Sequence, residues 1–275
     1  MDTGVSKLHP TSGHDMKHLL IMSIYAPSER NETWYKTQKR FIANNTRGPY
    51  DYRILLNGID PSSFKKEDIA HCFDKNSQHK AALNWFLEYA RSHDYENYLF
   101  MDSDCFPVSP DWFDNLVYQL DNMNRKLAAP YRTENLDIFP HPCAFFVRGK
   151  FIHSPNLNFD NSIKALNLLG SEINDVGSGM ASLSNDVFPL LRSNVVNPHP
   201  VACAIYSHYF YHHGSGSRDF NFRIYNKFGY TDHWYRRENQ LQHGDLLFSA
   251  FNQNPEAFIN RLMGKDEWLI KDYLL

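Results

Sequence analysis

The chain has 275 residues and a formal charge of −3 at pH 7, from 28 Lys and Arg against 31 Asp and Glu. It is long enough to bury one sizeable core, and its scattered basic residues exclude the electrostatic footprint of a nucleic-acid binder. Four widely spaced cysteines, Cys72, Cys105, Cys143 and Cys203, form neither a C-x-x-C pair nor a disulfide framework, which fits a reducing compartment.

Residues 1–16 are polar, and the first apolar run, 19–26, is shorter than a signal-peptide core with its cleavage site or a spanning helix requires. A soluble chain without a transmembrane segment is expected, in a microbial cytoplasm or the cytosol of a virus-infected cell. Residues 19–25, nearly all apolar and bounded by Pro27, predict a central strand covered on both faces. Residues 32–44 carry Trp34, Tyr35, Phe41 and Ile42 at helical spacing, and Asn45 with Gly48-Pro49 ends that helix. A second strand at 52–56 closes at Asn57-Gly58. After a polar loop, 77–92 sets Ala81, Leu83, Phe86, Leu87 and Ala90 on a helical period and leads to the apolar strand Tyr98-Leu99-Phe100-Met101.

Strand, helix, strand, helix, strand is the signature of a mostly parallel sheet with helices on both faces. Beyond it, 110–123 reads as a helix, 127–130 and 144–147 as strands, 175–184 as lying near a helix start, 206–211 as a late strand, and 255–275 as one or two amphipathic helices.

Asp102-Ser103-Asp104 follows the 98–101 strand directly. At the carboxyl end of a parallel strand, where open α/β sheets bind ligands, two such carboxylates can hold a divalent cation whose other positions go to phosphate oxygens. Pro107 and Pro110 supply the turn that lets both reach it; loop or capping aspartates are the alternative. Tyr211-His212-His213-Gly214-Ser215-Gly216-Ser217-Arg218 reads as a far wall. Imidazole from His212 or His213 can complete the coordination of a cation such as Mn2+, and Ser217 and Arg218 can donate to phosphate oxygens. Against this stands a structural role, since the chain has 14 histidines. In Glu172-Ile173-Asn174-Asp175-Val176-Gly177-Ser178-Gly179, Asp175 is either a general base or a helix N-cap.

With these residues the chain resembles the GT-A-fold glycosyltransferases, especially the broad family 2 type. The closest stretch is Asn76-Ser77-Gln78-His79-Lys80-Ala81-Ala82-Leu83-Asn84 leading to Tyr98-Leu99-Phe100-Met101-Asp102-Ser103-Asp104, similar to the family's polar loop and Ala/Asn-bearing helix before a strand ending in D-x-D. Looser likenesses are Tyr25-Ala26-Pro27 at the end of the first strand, Asn57 where the family has a base-contacting Asp, Asp175 near the usual acidic base, and His212-His213-Gly214-Ser215 as the late metal-binding His. The resemblance covers 17–218.

It implies an α/β, GT-A-like fold with a mostly parallel central sheet flanked by helices, in a single catalytic domain over 1–275. Residues 17–125 would be a Rossmann-like, nucleotide-sugar-binding half, 126–254 an acceptor and metal-completing half, and 255–275 a C-terminal helical extension. It implies transfer of a hexosyl or pentosyl group from a nucleoside-diphosphate sugar, UDP-linked first, to a hydroxyl of a glycan acceptor. Mn2+ or Mg2+ would sit on Asp102, Asp104 and His212 or His213. Donor contacts would come from Tyr25, Ala26, Asn57, Lys80, Asn84, Asp102, Ser217 and Arg218, and Asp175 would be the base. Typical members carry Glu-Asp where this chain has Asn174-Asp175, and a glycine-rich loop where it has Ser77-Gln78-His79-Lys80. Acceptor specificity is expected in loops 133–142 and 233–245.

A phosphotransferase of the haloacid dehalogenase type also places D-x-D after an apolar strand, with the first Asp as nucleophile, but Phe106 stands where that class has Thr or Val. A non-catalytic glycan-binding protein on the same fold is the other alternative.

Overall fold

A computed structural model describes residues 17–160, 165–166, 168–170, 172–173, 175–199, 202–214 and 238–265. In chain order the elements are β1 (Lys17–Tyr25), α1 (Asn31–Asn45), β2 (Tyr50–Asn57), β3 (Ile69–Phe73), α2 (His79–Arg91), β4 (Tyr95–Asp102), β5 (Cys105–Pro107), α3 (Trp112–Asn122), β6 (Leu127–Pro130), β7 (Ala144–Arg148), β8 (Ala165–Leu166), β9 (Glu172–Ile173), β10 (Val187–Leu190), β11 (Ala204–Tyr206), β12 (Phe210–His212), α4 (Glu238–Gln253) and α5 (Pro255–Leu262).

Seven strands form the main sheet in the order β10-β6-β7-β4-β1-β2-β3. All neighbours are parallel except β7, which runs antiparallel to β4 and β6. This is the mostly parallel, helix-flanked sheet expected. Its central strands are apolar on both faces. Leu19 and Ile21, Ile54 and Leu56, and Leu99 and Met101 face α1 (Trp34, Phe41, Ile42), α3 (Trp112, Leu116, Leu120) and the aromatic rings Phe251 and Phe258. Leu20 and Met22, Leu55, and Tyr98 and Phe100 face α2 through Leu83, Phe86 and Leu87. Each such burial contributes about 1.5–3 kcal/mol, so the positions of β1, β2 and β4 are set by packing independently of any site at their ends.

Several expectations are corrected. β3 runs through what reads as polar loop; it is a short edge strand, half-buried throughout, whose apolar residues are interrupted by His71. The single strand expected at 206–211 is a hairpin of β11 and β12, turned at Ser207 and His208 in the left-handed region. A second, three-stranded sheet, β11-β12-β5, results. The helix start near 175–184 is a 3-10 segment, Ser178–Leu183, with Gly177 rather than Asp175 ahead of it. α4 begins within the expected acceptor loop 233–245, whose residues 233–237 lie outside the described residues. Of the C-terminal extension, α5 is helical, and 266–275 lie outside the described residues. Among the described residues no helix is long and apolar enough to cross a membrane.

Candidate metal centre

Asp102 ends β4, the chain turns through Ser103-Asp104, and it returns as β5. β5 pairs antiparallel with β12 in a register that sets His212 opposite Cys105, and the His213 amide donates to the Asp104 carbonyl at 3.0 Å. That register carries His212 to the carboxylates: its Nε2 lies 3.5 Å from Asp104 Oδ1 and 3.7 Å from Asp102 Oδ2. One ligand atom from each of the three residues lies within 4.8 Å of the others, and no other such group of His, Cys, Asp and Glu occurs among the described residues. Two hard carboxylate oxygens and one imidazole fit Mn2+ or Mg2+, with the imidazole favouring the former. Asp104 and His212 are buried, whereas the Asp102 side chain is 20% exposed, so the group opens to solvent on one side.

Burial alone would lower the His212 pKa, but Cys143 and Asp104 outweigh it and hold the imidazole well above its ordinary value. Burial pushes the Cys143 thiol up and keeps it uncharged at neutral pH, so the carboxylate is the charge that counts. His213 does not join the group. Neighbouring residues on an extended chain point to opposite sides, and its ring packs 5.1 Å from Trp34 and 5.6 Å from Phe251, with Nδ1 2.6 Å from the Tyr211 hydroxyl. Burial pushes its pKa down to about 3. Of the two imidazoles, His212 is the one that lies against Asp102 and Asp104.

His79, which the sequence reading does not single out, also lies against the group. It heads α2, is 37% exposed, and its Nε2 lies 3.2 Å from Asp102 Oδ1, so each Asp102 oxygen faces an imidazole. The available signal was a basic residue where the resemblance has a glycine-rich loop. Lys80 follows it in the first turn, which holds no acidic residue, and Gln78 makes no side-chain cap there. With its positive dipole end beside the carboxylates, this terminus suits an anion.

The remaining expected donor contacts are mostly internal. Tyr25 is buried, and its hydroxyl donates to Gln38 Oε1 at 2.8 Å. The Ala26 carbonyl accepts from Asn31 Nδ2 at 2.8 Å. Asn57 is buried and clamps the loop before α2: its Oδ1 accepts from Ser77 N (2.8 Å) and Ser77 Oγ (2.9 Å), and its Nδ2 donates to Ser77 O (2.9 Å) and Asn76 Oδ1 (3.1 Å). Both ends of its amide are thus engaged within the chain. Asn84 Oδ1 accepts from Phe159 N at 2.9 Å, tying α2 to the 157–160 segment. Ser217, Arg218 and Asn174 lie outside the described residues.

Asp175 Oδ2 accepts from Arg132 at 2.8 Å, and Asp137 accepts from the same guanidinium nitrogen at 2.5 Å. Burial opposes the Arg132 charge, but Asp137 and Asp175 overcome it and raise its pKa. Gly177 sits at φ +99°, where a Cβ would strike the Pro140 carbonyl, so only glycine lets this loop press against 140–142. From there the His141 ring is 6.4 Å from that of His212, and the Tyr206 ring, 6.5 Å from that of His212, carries a hydroxyl that donates to Glu134 at 2.7 Å.

No protein-family model matches the sequence, and no curated protein does. Among solved structures the chain is similar to the mannosyltransferase PcManGT from Pyrobaculum calidifontis in complex with GDP-Man and Mn2+, at 11% identity over 62% of this chain and 51% of that one, with a TM-score of 0.42. It is also similar to residues 1–349 of S. aureus TarS in complex with UDP-GlcNAc, at 11% identity over 94% of this chain and 78% of that one, with a TM-score of 0.46. It spans about half of the mannosyltransferase and 42% of a longer TarS chain. At such identities and TM-scores the chemistry of this chain has to be read from its own residues.

Proposed function

We propose that this chain is a metal-dependent glycosyltransferase that moves a sugar from a nucleoside-diphosphate sugar, UDP-linked by preference, to a hydroxyl of a glycan acceptor. The observation that carries the reading is the Asp102–Asp104–His212 group at the carboxyl end of β4, beside the cationic start of α2. Asp102, Asp104 and His212 would hold Mn2+ or Mg2+, which when bound neutralises the charge that builds on the leaving diphosphate. His79, Lys80 and the α2 terminus bind phosphate oxygens, with Ser217 and Arg218 as further donors. Asn57 and Asn84 hold the α2 loop in place around them. Asp175 takes the proton of the attacking hydroxyl, oriented by Arg132. Residues 17–125 form the donor half and 126–254 the acceptor half. The four free cysteines fit a cytoplasmic setting.

The phosphotransferase alternative requires Asp102 as a free nucleophile, and both of its oxygens face imidazoles instead. The test is a panel of UDP-, GDP-, TDP- and CMP-sugars, assayed for Mn2+-dependent binding and slow donor hydrolysis on wild type and Asp104→Ala. Binding of one nucleotide sugar that needs both the metal and Asp104 is expected; metal-dependent binding to none of them would sink the reading.

A further inference from the structure

Gln38, on α1, is fully buried, and its amide spans the turn of the metal centre. Its nitrogen donates to the Asp102 carbonyl at 3.0 Å and to the Cys105 carbonyl at 2.7 Å, the acceptors that bracket Ser103-Asp104. Its oxygen accepts from the hydroxyls of Tyr25 (2.8 Å) and Tyr52 (2.6 Å). Carbonyls only accept, so the nitrogen must face them, and all four hydrogen-bonding positions of the amide are used. An amide saturated in this way cannot swing without stranding buried partners on both sides. α1 grips the same segment twice more, through Asn45 Nδ2 to the Pro107 carbonyl at 3.2 Å and the Phe41 and Phe106 rings at 4.6 Å.

We propose that Gln38 is the positioning residue of the metal centre: by clamping both ends of the turn it sets the separation of the Asp102 and Asp104 carboxylates. This rests on the metal reading above and deepens it. A turn held at fixed spread suits a small cation with strict geometry better than Ca2+, which accepts looser and more numerous ligands. Gln38 therefore acts on ion selectivity as well as affinity.

The test is Mn2+ binding, read from the spin-resonance signal of the free ion, with Ca2+ as competitor. Gln38→Met should weaken Mn2+ by at least about tenfold, the size of effect expected of an outer-shell residue. It should also narrow the preference for Mn2+ over Ca2+ by about threefold, through loss of rigidity. Gln38→Glu keeps the acceptor side toward Tyr25 and Tyr52 but at most one donor, and should fall between; if Gln38→Met does not fold, this variant decides. Val187→Ala, a core truncation on the edge strand β10, three strands from β4 in the main sheet, should lower the melting temperature and leave both binding quantities unchanged. Gln38 variants that match wild type in affinity and preference overturn the role of Gln38 alone. A wild type that binds no Mn2+ overturns the metal reading and this inference together.

Discussion

His212 Nε2 lies 3.5 Å from Asp104 Oδ1, a proximity created by the pairing of two three-residue strands, β5 and β12. The first returns from the D-x-D turn and the second closes a hairpin far along the chain. Because the register sets His212 opposite Cys105, the imidazole arrives beside the carboxylates with no conformational change required. The centre is preorganised by backbone pairing.

Asp104→Asn keeps the shape of the side chain and removes one charged ligand. Since loss of an outer-shell partner lowers metal affinity by about 10–100-fold, loss of a ligand should lower it by more than about 100-fold. Titration calorimetry with Mn2+ on the variant checks this, and the far-ultraviolet circular dichroism should be unchanged.

Mn2+ binding should release a proton. With its pKa held above the ordinary imidazole value by the Asp104 carboxylate against the effect of burial, His212 keeps its proton to higher pH than a free imidazole and must give it up to ligate the cation. Affinity should therefore increase as pH rises toward the His212 pKa. A dye in weakly buffered solution would report the released proton, and His212→Gln should abolish it.

His213 should destabilise the fold in mild acid. Its folded pKa, about 3, lies below the ordinary histidine value of 6.5. Between these values the unfolded chain binds a proton that the native one does not, so stability is lost as pH falls through 6.5. Burial is the main cause, reinforced by Arg30, His212 and His199 and opposed by Asp104. From pH 7 to pH 5 the loss is about 2 kcal/mol. His212, with its raised pKa, works in the opposite sense, so the comparison to make is wild type against His213→Phe by urea unfolding at both pH values. The gap between the two proteins should change by that amount.

Asp175→Asn should slow transfer to the acceptor by about 10²–10⁴-fold, the range for loss of a general base, and leave donor binding unchanged. Arg132→Gln leaves Asp137 and Asp175 without their shared cation and should lower both stability and transfer. An Asp175→Asn protein with full transfer rate would remove Asp175 from the chemistry.

Asn57→Ala should lower stability by about 2–4 kcal/mol, since it removes four part-buried hydrogen bonds to residues 76 and 77. Preference among nucleotide bases should be unchanged. A shift in that preference would restore Asn57 as a base contact.

The sequence by itself determined the order and kind of the central elements. β1, β2, β4, α1, α2 and α3 are apolar runs or helical periods whose burial is strong enough to show locally, and the D-x-D at the end of β4 followed from that register. Only the tertiary structure decided the rest, because the forces there are non-local. β3 and β5 are short or half-buried and draw their order from partner strands, and the choice of His212 over His213 turns on which face of β12 meets Asp104. Asn57 and Tyr25, polar residues at strand ends, look like ligand contacts in one dimension. In three, buried polar groups must find partners within the protein, and these two find theirs in Ser77 and Gln38.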